Sequence, residues 1–249
     1  MVYLGSKSRI AKYIVPIIQS YIDDYNIDTY IELFVGGANV IDKIKCEKRI
    51  GYDINDELIA LLKCIQSDKA ISIAPEDCSF EHYKDVRENR KNNGNKYSKE
   101  YTALIGFCAS YAGRYFDGGY GRDRKSKRNM YVERLANLKK QAPLLNNIIF
   151  NTLNYIDLDI SQYNNCLFYL DPPYKGVMQY GKYEINYDDF YNFCRKLSKN
   201  NIVIISEYYM PDDFVCIWER ELSITLKSDR IQHDTAIERL FIISDIINT

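Results

Sequence analysis

Residues 30–37 read Tyr30-Ile31-Glu32-Leu33-Phe34-Val35-Gly36-Gly37, a short apolar run that closes on two glycines. A run this short and this continuous is what a strand buried on both faces looks like, and the glycine pair is turn chemistry. Downstream, residues 39–45 read as helix, 48–52 as a second strand ending at Asp53, and 57–65 as helix again. Strands and helices alternating at this interval predict the first half of a doubly wound parallel sheet. Upstream, Ile10, Tyr13, Ile14, Ile17, Ile18 and Tyr21 recur at helical spacing, with Ser6 or Ser8 as the cap.

The strand rhythm then stops. No strong β run occurs within 67–145. Helical patterns lie near 81–91, 99–111 and 128–140, and 113–124 is too glycine-rich for regular structure. Strands resume at 148–151, 166–170, 201–205 and 239–243, with a helix over 187–197. This order predicts a Rossmann-like α/β domain made of residues 1–66 and 146–249, interrupted by a mostly helical inserted domain over 67–145.

Composition narrows the function classes. The chain has 249 residues, 46% hydrophobic and 27% charged, enough for a sizeable core and unlike a disordered chain. The start carries no basic stretch leading into an apolar core, and no long uncharged apolar run follows, so a soluble intracellular protein is expected. Seven scattered cysteines without a C-x-x-C pair argue against a disulfide framework or a structural zinc site. Only His82 and His233 are present, which disfavours a histidine-based triad or metal site, and no metal is expected. The net charge of −1 hides a separation: residues 84–140 hold 15 Lys and Arg against 6 Asp and Glu. That surplus predicts one positive face suited to a polyanion such as nucleic acid.

The chemistry concentrates in Asp171-Pro172-Pro173-Tyr174, which follows the apolar run 166–170 and so falls at the carboxyl edge of a buried strand. Open α/β sheets bind ligands along that edge. The Asp171 carboxylate and the Pro172 carbonyl, held by restricted proline backbone, form two fixed acceptors for the protons of one amino group. Such a pair suits a poor nucleophile like the adenine amino group, whose lone pair is delocalised until both protons are engaged. Tyr174 adds a flat face for an extruded base.

Nearly end to end, the chain resembles the Dam-like, D12-class family of DNA adenine-N6 methyltransferases of bacteria and phages. Tyr3-x-Gly5-x-Lys7 is similar to its N-terminal motif, Glu32 to Gly37 to its cofactor loop, and Asp53-Ile54-Asn55 to its acidic turn. Asp171 to Tyr174 is similar to its catalytic motif, and Ser206-Glu207-Tyr208 and Glu238-Arg239-Leu240-Phe241 to its later strand ends. The resemblance implies S-adenosylmethionine as methyl donor and double-stranded DNA as substrate. It further implies a monomer, no membrane partner, and action in a bacterial cytoplasm. Asp171, Pro172 and Tyr174 would be catalytic, and Tyr3, Lys7, Phe34, Gly36, Gly37, Asp53, Asn154 and Asp171 would hold the donor. Lys7 would meet its carboxylate and Asp53 its ribose hydroxyls, and Asp53 could also cap the following helix without giving up that role. Two positions depart from the family: Asn154 stands where an acidic acceptor is usual, and Gly36-Gly37-Ala38 replaces a G-x-G spacing. The insertion would recognise the DNA target, with Arg114, Tyr120, Arg122, Arg124, Lys125 and Arg128 (and Lys127 beside them) as contacts. Competing readings are the same fold acting on cytosine N4, RNA adenine or a protein glutamine, an NAD-dependent oxidoreductase, and a catalytically silent DNA-binding module. No G-x-G-x-x-G follows the first strand, which weighs against the oxidoreductase.

Overall fold

The central strands carry continuous apolar stretches, Tyr30–Ile31, Leu167–Leu170 and Ile202–Ile205, because both of their faces are covered. In the computed structural model, which describes residues 1–67, 69–121, 128–175, 185–224 and 234–243, one seven-stranded sheet runs in the order β3-β2-β1-β4-β5-β7-β6. The strands are β1 (Thr29–Glu32), β2 (Lys48–Asp53), β3 (Ile148–Thr152), β4 (Leu167–Leu170), β5 (Ile202–Glu207), β6 (Phe214–Ile224) and β7 (Asp234–Ile243). The first five are mutually parallel, and β7 pairs antiparallel with both β5 and β6. Alternation along each strand sorts the core into two layers. Tyr30, Leu167, Tyr169, Ile202, Ile204, Leu240 and Ile242 face the layer holding Ile14, Ile18, Leu58 and Leu104. Ile31, Phe168, Leu170, Val203, Ile205 and Phe241 face the layer holding Phe190, Cys194 and Leu197.

The helices are α1 (Ala11–Asp24), α2 (Asp56–Gln66), α3 (Lys69–Ile73), α4 (Phe80–Lys91), α5 (Lys99–Ala109), α6 (Met130–Gln141) and α7 (Tyr187–Leu197). Each of α4, α5 and α6 starts at a side-chain cap: Ser79 accepts from the His82 amide, Ser98 from Tyr101 and Asn129 from Val132. Within the middle segment, α5 buries Leu104 and Ile105 completely, and its apolar residues belong to the same layer as α1 and α2. The helices between β2 and β3 therefore share their core with one face of the sheet.

Three local expectations need correction. Residues 39–45 form no helix; only a single 3-10 turn, Ile41–Lys43, is present. Ile44 is already extended at φ −75°, ψ 136°, and Asp42 is turned inward to the Gln141 amide at 3.0 Å. The first strand stops at Glu32, because residues 33–35 bend so that the Val35 amide donates to Tyr52 at 2.8 Å. Strand β6 was not expected from the sequence, since Glu219, Arg220 and Glu221 interrupt its apolar run; among the described residues it is an edge strand that pairs with β7 alone. Among the described residues, no helix is long and apolar enough to cross a membrane.

The order of strands reverses between β1 and β4, so the crevice at their carboxyl ends is the sheet's topological switch point. In register, Glu32 of β1 lies beside Gly51 of β2 and Tyr169 of β4, and Leu170 lies beside Ile205. Gly36, Asp53, Asp171 and Ser206 consequently lie along one edge. The antiparallel β7 brings Glu238 to the same edge, one residue before Arg239, whose backbone lies opposite Glu207 in the ladder.

Candidate active site

At that edge the turn after β1 is tied to the end of β2. The Asp53 carboxylate accepts from the Gly36 amide through Oδ2 and from the Asn55 amide through Oδ1, both at 3.0 Å. Asn55, not Asp53, caps α2 by accepting from the Leu58 amide at 3.0 Å. Burial pushes the Asp53 pKa up to about 6, partly offset by the Asn55, Gly36 and Ile54 amides. Each of its oxygens keeps a lone pair beyond these bonds.

Tyr3 explains the glycines of the turn. Gly36 adopts φ +47°, and a Cβ there would lie 3.0 Å from the Tyr3 ring. A Cβ on Gly37 would approach Asn39 Nδ2 to 2.6 Å and the Tyr3 Cβ to 3.0 Å. The residues ahead of α1 thus close directly onto the loop, and Tyr3 also packs against Phe107 of α5 with ring centroids 5.6 Å apart. Asn39 and Gln141 hold the loop's far side, Gln141 donating to the Gly37 and Ala38 carbonyls at 3.0 and 3.1 Å.

Phe34 and Tyr155 form an aromatic shelf beside β1 and β3, with centroids 5.4 Å apart. Asn154 is brought near the end of β2, where the Leu153 amide donates to the Asp53 carbonyl at 3.0 Å. Its side chain accepts from the Ile156 amide at 3.5 Å.

Lys7 and Asp171 meet across the switch point at 2.8 Å. Lys7 lies in a 3-10 turn that Ser6 caps and is only 8% exposed, an unusual position for an ammonium. Burial alone would lower its pKa, but the Asp171 and Glu238 carboxylates, the latter at 3.7 Å, hold it above the ordinary value. Burial raises the Asp171 carboxyl to about 6 even against Lys7, and Glu238 adds to the rise. Tyr174 is held on several sides. Its hydroxyl lies 2.6 Å from Ser206 Oγ and donates to Glu238 at 2.7 Å. The Lys7 ammonium sits 4.3 Å from its ring centroid, and the Tyr208 ring packs edge-on at 4.5 Å. The ring is 8% exposed, so it presents far less open face than the sequence suggested. Pro172 is buried between Asp171 and the exposed Pro173.

Sequence reasoning gave no roles to Ser206, Glu207, Glu238 or Tyr187. The first three were visible only as strand-end motifs, and nothing local in the chain says that they converge on Tyr174 and Lys175, 32 to 64 positions away.

The residues expected to meet nucleic acid are more scattered. Arg122, Arg124 and Lys125, with Lys127, lie outside the described residues. Arg114 is exposed on the loop after α5. Tyr120 is built into the fold: its hydroxyl donates to the Cys78 carbonyl, and its ring packs on Phe80 and Tyr83 at 5.7 and 5.5 Å. Arg128 makes a two-pronged pair with Glu133 at 2.6 and 2.9 Å. Part of the segment's positive charge is likewise committed within the fold, as with Arg134 on the Phe107 and Cys108 carbonyls and Arg90 on Glu57. Among the described residues, no cluster of His, Cys, Asp and Glu could hold a metal ion.

Comparison with known proteins shows the family. The family described as D12 class N6 adenine-specific DNA methyltransferase matches residues 3–222. The type II methyltransferase M.MjaIII of Methanocaldococcus jannaschii is 29% identical over 255 residues, covering 87% of this chain and 86% of that protein. The type II methyltransferase M.FokI of Planomicrobium okeanokoites is 28% identical, and the modification methylase StsI of Streptococcus sanguinis is 24% identical; each match covers 69% of this chain. The chain spans 28% of the length of each of these last two.

Proposed function

Because the chain belongs to the D12 class of N6 adenine-specific DNA methyltransferases, we propose that it moves the methyl group of S-adenosylmethionine to the exocyclic nitrogen of an adenine turned out of a DNA duplex, at a specific sequence. The observation that carries this reading is the Asp171–Lys7 contact of 2.8 Å at the switch point. It sets an ionisable acceptor and a buried cation side by side, next to a glycine turn.

The side chains along the edge fit the donor. Lys7 would hold its carboxylate, Asp53 its ribose hydroxyls and the Phe34–Tyr155 shelf its adenine, with Asn154 accepting from the amino group there. Gly36 and Gly37, beside Tyr3, leave room for close approach to its methionine part. When bound, the donor supplies a methyl on a sulfonium, which the nitrogen takes while the carbon–sulfur electron pair stays on sulfur.

The protein's part is to aim the nitrogen. Asp171 accepts a hydrogen bond from one amino proton and the Pro172 carbonyl accepts from the other, so the lone pair leaves conjugation with the ring and points at the methyl. The surplus proton passes to the Asp171 carboxylate, whose pKa of about 6 allows it to take the proton and release it to water. Lys7 turns from the Tyr174 ring to the donor's carboxylate while staying beside Asp171, freeing that face for the base. Duplex DNA docks on the surplus of Lys and Arg in residues 84–140, with the exposed Arg114 and the segment Arg122, Arg124, Lys125 contributing phosphate contacts.

The test is transfer from isotope-labelled S-adenosylmethionine to duplex DNA, followed by digestion to nucleosides. The expected label is in N6-methyldeoxyadenosine. Label in N4-methyldeoxycytidine, or in RNA alone, replaces the reading.

A further inference from the structure

Residues 172–175 lie beyond the last ladder pair of β4, Leu170 with Ile205. Two of them are prolines, which lack an N–H, so this main chain has few groups by which to be fixed. Among the described residues, side chains from other elements supply the ties on both sides of Tyr174. The Tyr187 hydroxyl, at the start of α7, donates to the Pro173 carbonyl. Glu207, the last residue of β5, accepts from the Lys175 amide through Oε2 at 3.2 Å and from the Tyr208 amide through Oε1 at 2.7 Å.

Glu207 is a costly residue to place there. It is 1% exposed, and among the described residues no cation pairs with it within 4 Å. A buried carboxylate held by backbone amides without a cation costs stability, and what it provides in return is geometry. Its two oxygens join the tail of the catalytic tetrapeptide to the turn after β5. That turn contributes Tyr208, Tyr209, Met210 and Pro211 to a pocket of about 330 Å³, completed by Lys175, Tyr191 and Glu207 itself. One side chain therefore sets both the aim of the tetrapeptide and the spacing of the adjoining pocket wall.

We propose that Glu207 is a positioning residue of the methyl transfer, locking residues 173–175 so that Asp171 and the Pro172 carbonyl stay aimed at the target nitrogen. This rests on the proposed roles of Asp171 and Pro172. The charged form is the one that accepts both amides. Burial raises its pKa to about 7; the Tyr208 and Lys175 amides oppose the rise, Asp171 adds to it and Lys7 reduces it. Tyr191, Tyr208 and Lys175 face it from the pocket, and Arg239 lies opposite it in β7. A raised carboxylate pKa means that the brace is present above about pH 7 and is lost as pH falls through that value.

The experiment compares Glu207→Gln and Tyr187→Phe with the unaltered protein in steady-state methylation between pH 5.5 and 9, with S-adenosylhomocysteine and duplex affinities measured calorimetrically. Glu207→Gln keeps the shape and one acceptor oxygen. It should lower kcat roughly tenfold at pH 8, the scale of one charge-assisted hydrogen bond. Both dissociation constants and the KM for DNA should stay within about threefold. The step near pH 7 in kcat should disappear, leaving the fall near pH 6. Tyr187→Phe, altered on the surface, should lower kcat by a smaller factor and keep both pH steps. An unchanged kcat with the step near pH 7 intact in Glu207→Gln overturns the proposal, as does a parallel loss of kcat and both affinities. If Asp171→Ala is inactive in the same assay, such a result counts against Glu207 alone; if Asp171→Ala is active, the underlying mechanism fails.

Discussion

Replacing Lys7 by glutamine removes a charge 2.8 Å from Asp171 and 3.7 Å from Glu238 while keeping a donor of similar reach. A hydrogen bond to a charged partner contributes about 1.5–3 kcal/mol. At 1.36 kcal/mol per pH unit, its loss raises the Asp171 pKa by roughly one to two units. Two carboxylates left facing each other push in the same direction, and the desolvation that already lifts Asp171 to about 6 is unchanged. The sign is fixed: a carboxyl with a raised pKa is ionised, and able to accept the amino proton's hydrogen bond, only above that pKa. Activity of the unaltered protein should therefore vanish as pH falls through about 6, below the shallower step set by Glu207. In Lys7→Gln that final loss should move to roughly pH 7–8. The assay is kcat at saturating donor, so that weaker donor binding does not enter, measured from pH 5.5 to 9.5. Activity near pH 6.5 should fall about 3- to 25-fold and recover to within about threefold at pH 9. A uniform loss at every pH, or a midpoint that stays near 6, would refute the coupling of Lys7 to Asp171.

Two further outcomes follow from the fold and the charge pattern. Leu104→Ala empties a fully buried position on α5 in the layer shared with α1 and α2; it should cost about 2–5 kcal/mol and lower the midpoint of a single calorimetric transition, whereas an independently folding middle segment would melt as a separate peak. Neutralising Arg122 and Arg124 together should weaken duplex binding and reduce the slope of log K against log salt by about two, and an unchanged slope would remove these two residues from the DNA contacts.

The parallel strands were legible in the sequence because burial on both faces leaves no polar alternation, as in Leu167–Leu170 and Ile202–Ile205. Strand β6 was not, because an edge strand can carry Glu219, Arg220 and Glu221 at no cost and owes its existence to β7. The segment 39–45 has local helical character that tertiary ties override, with Asp42 drawn to Gln141, 99 residues away. The same division holds at the site. Lys7, Asp53 and Asp171 stand at strand ends or beside a turn, where position alone signals chemistry. The partners that set their behaviour do not: Glu238 meets Tyr174 across 64 residues, and Glu207 meets the Lys175 amide across 32. Tyr120 and Arg128 were chosen for their charge or aromaticity, and only packing shows how much of each is engaged within the fold.

The central claim is that Asp171 aims the target nitrogen and does not serve to hold DNA. Asp171→Ala, assayed for methyl transfer to duplex DNA alongside the equilibrium affinity for the same duplex, tests it most directly. The account predicts no detectable N6-methyladenine with a duplex affinity within about threefold of the unaltered protein, since the change removes an acceptor and no phosphate contact. Full methylation by Asp171→Ala, or a loss of activity explained entirely by lost DNA binding, would contradict it.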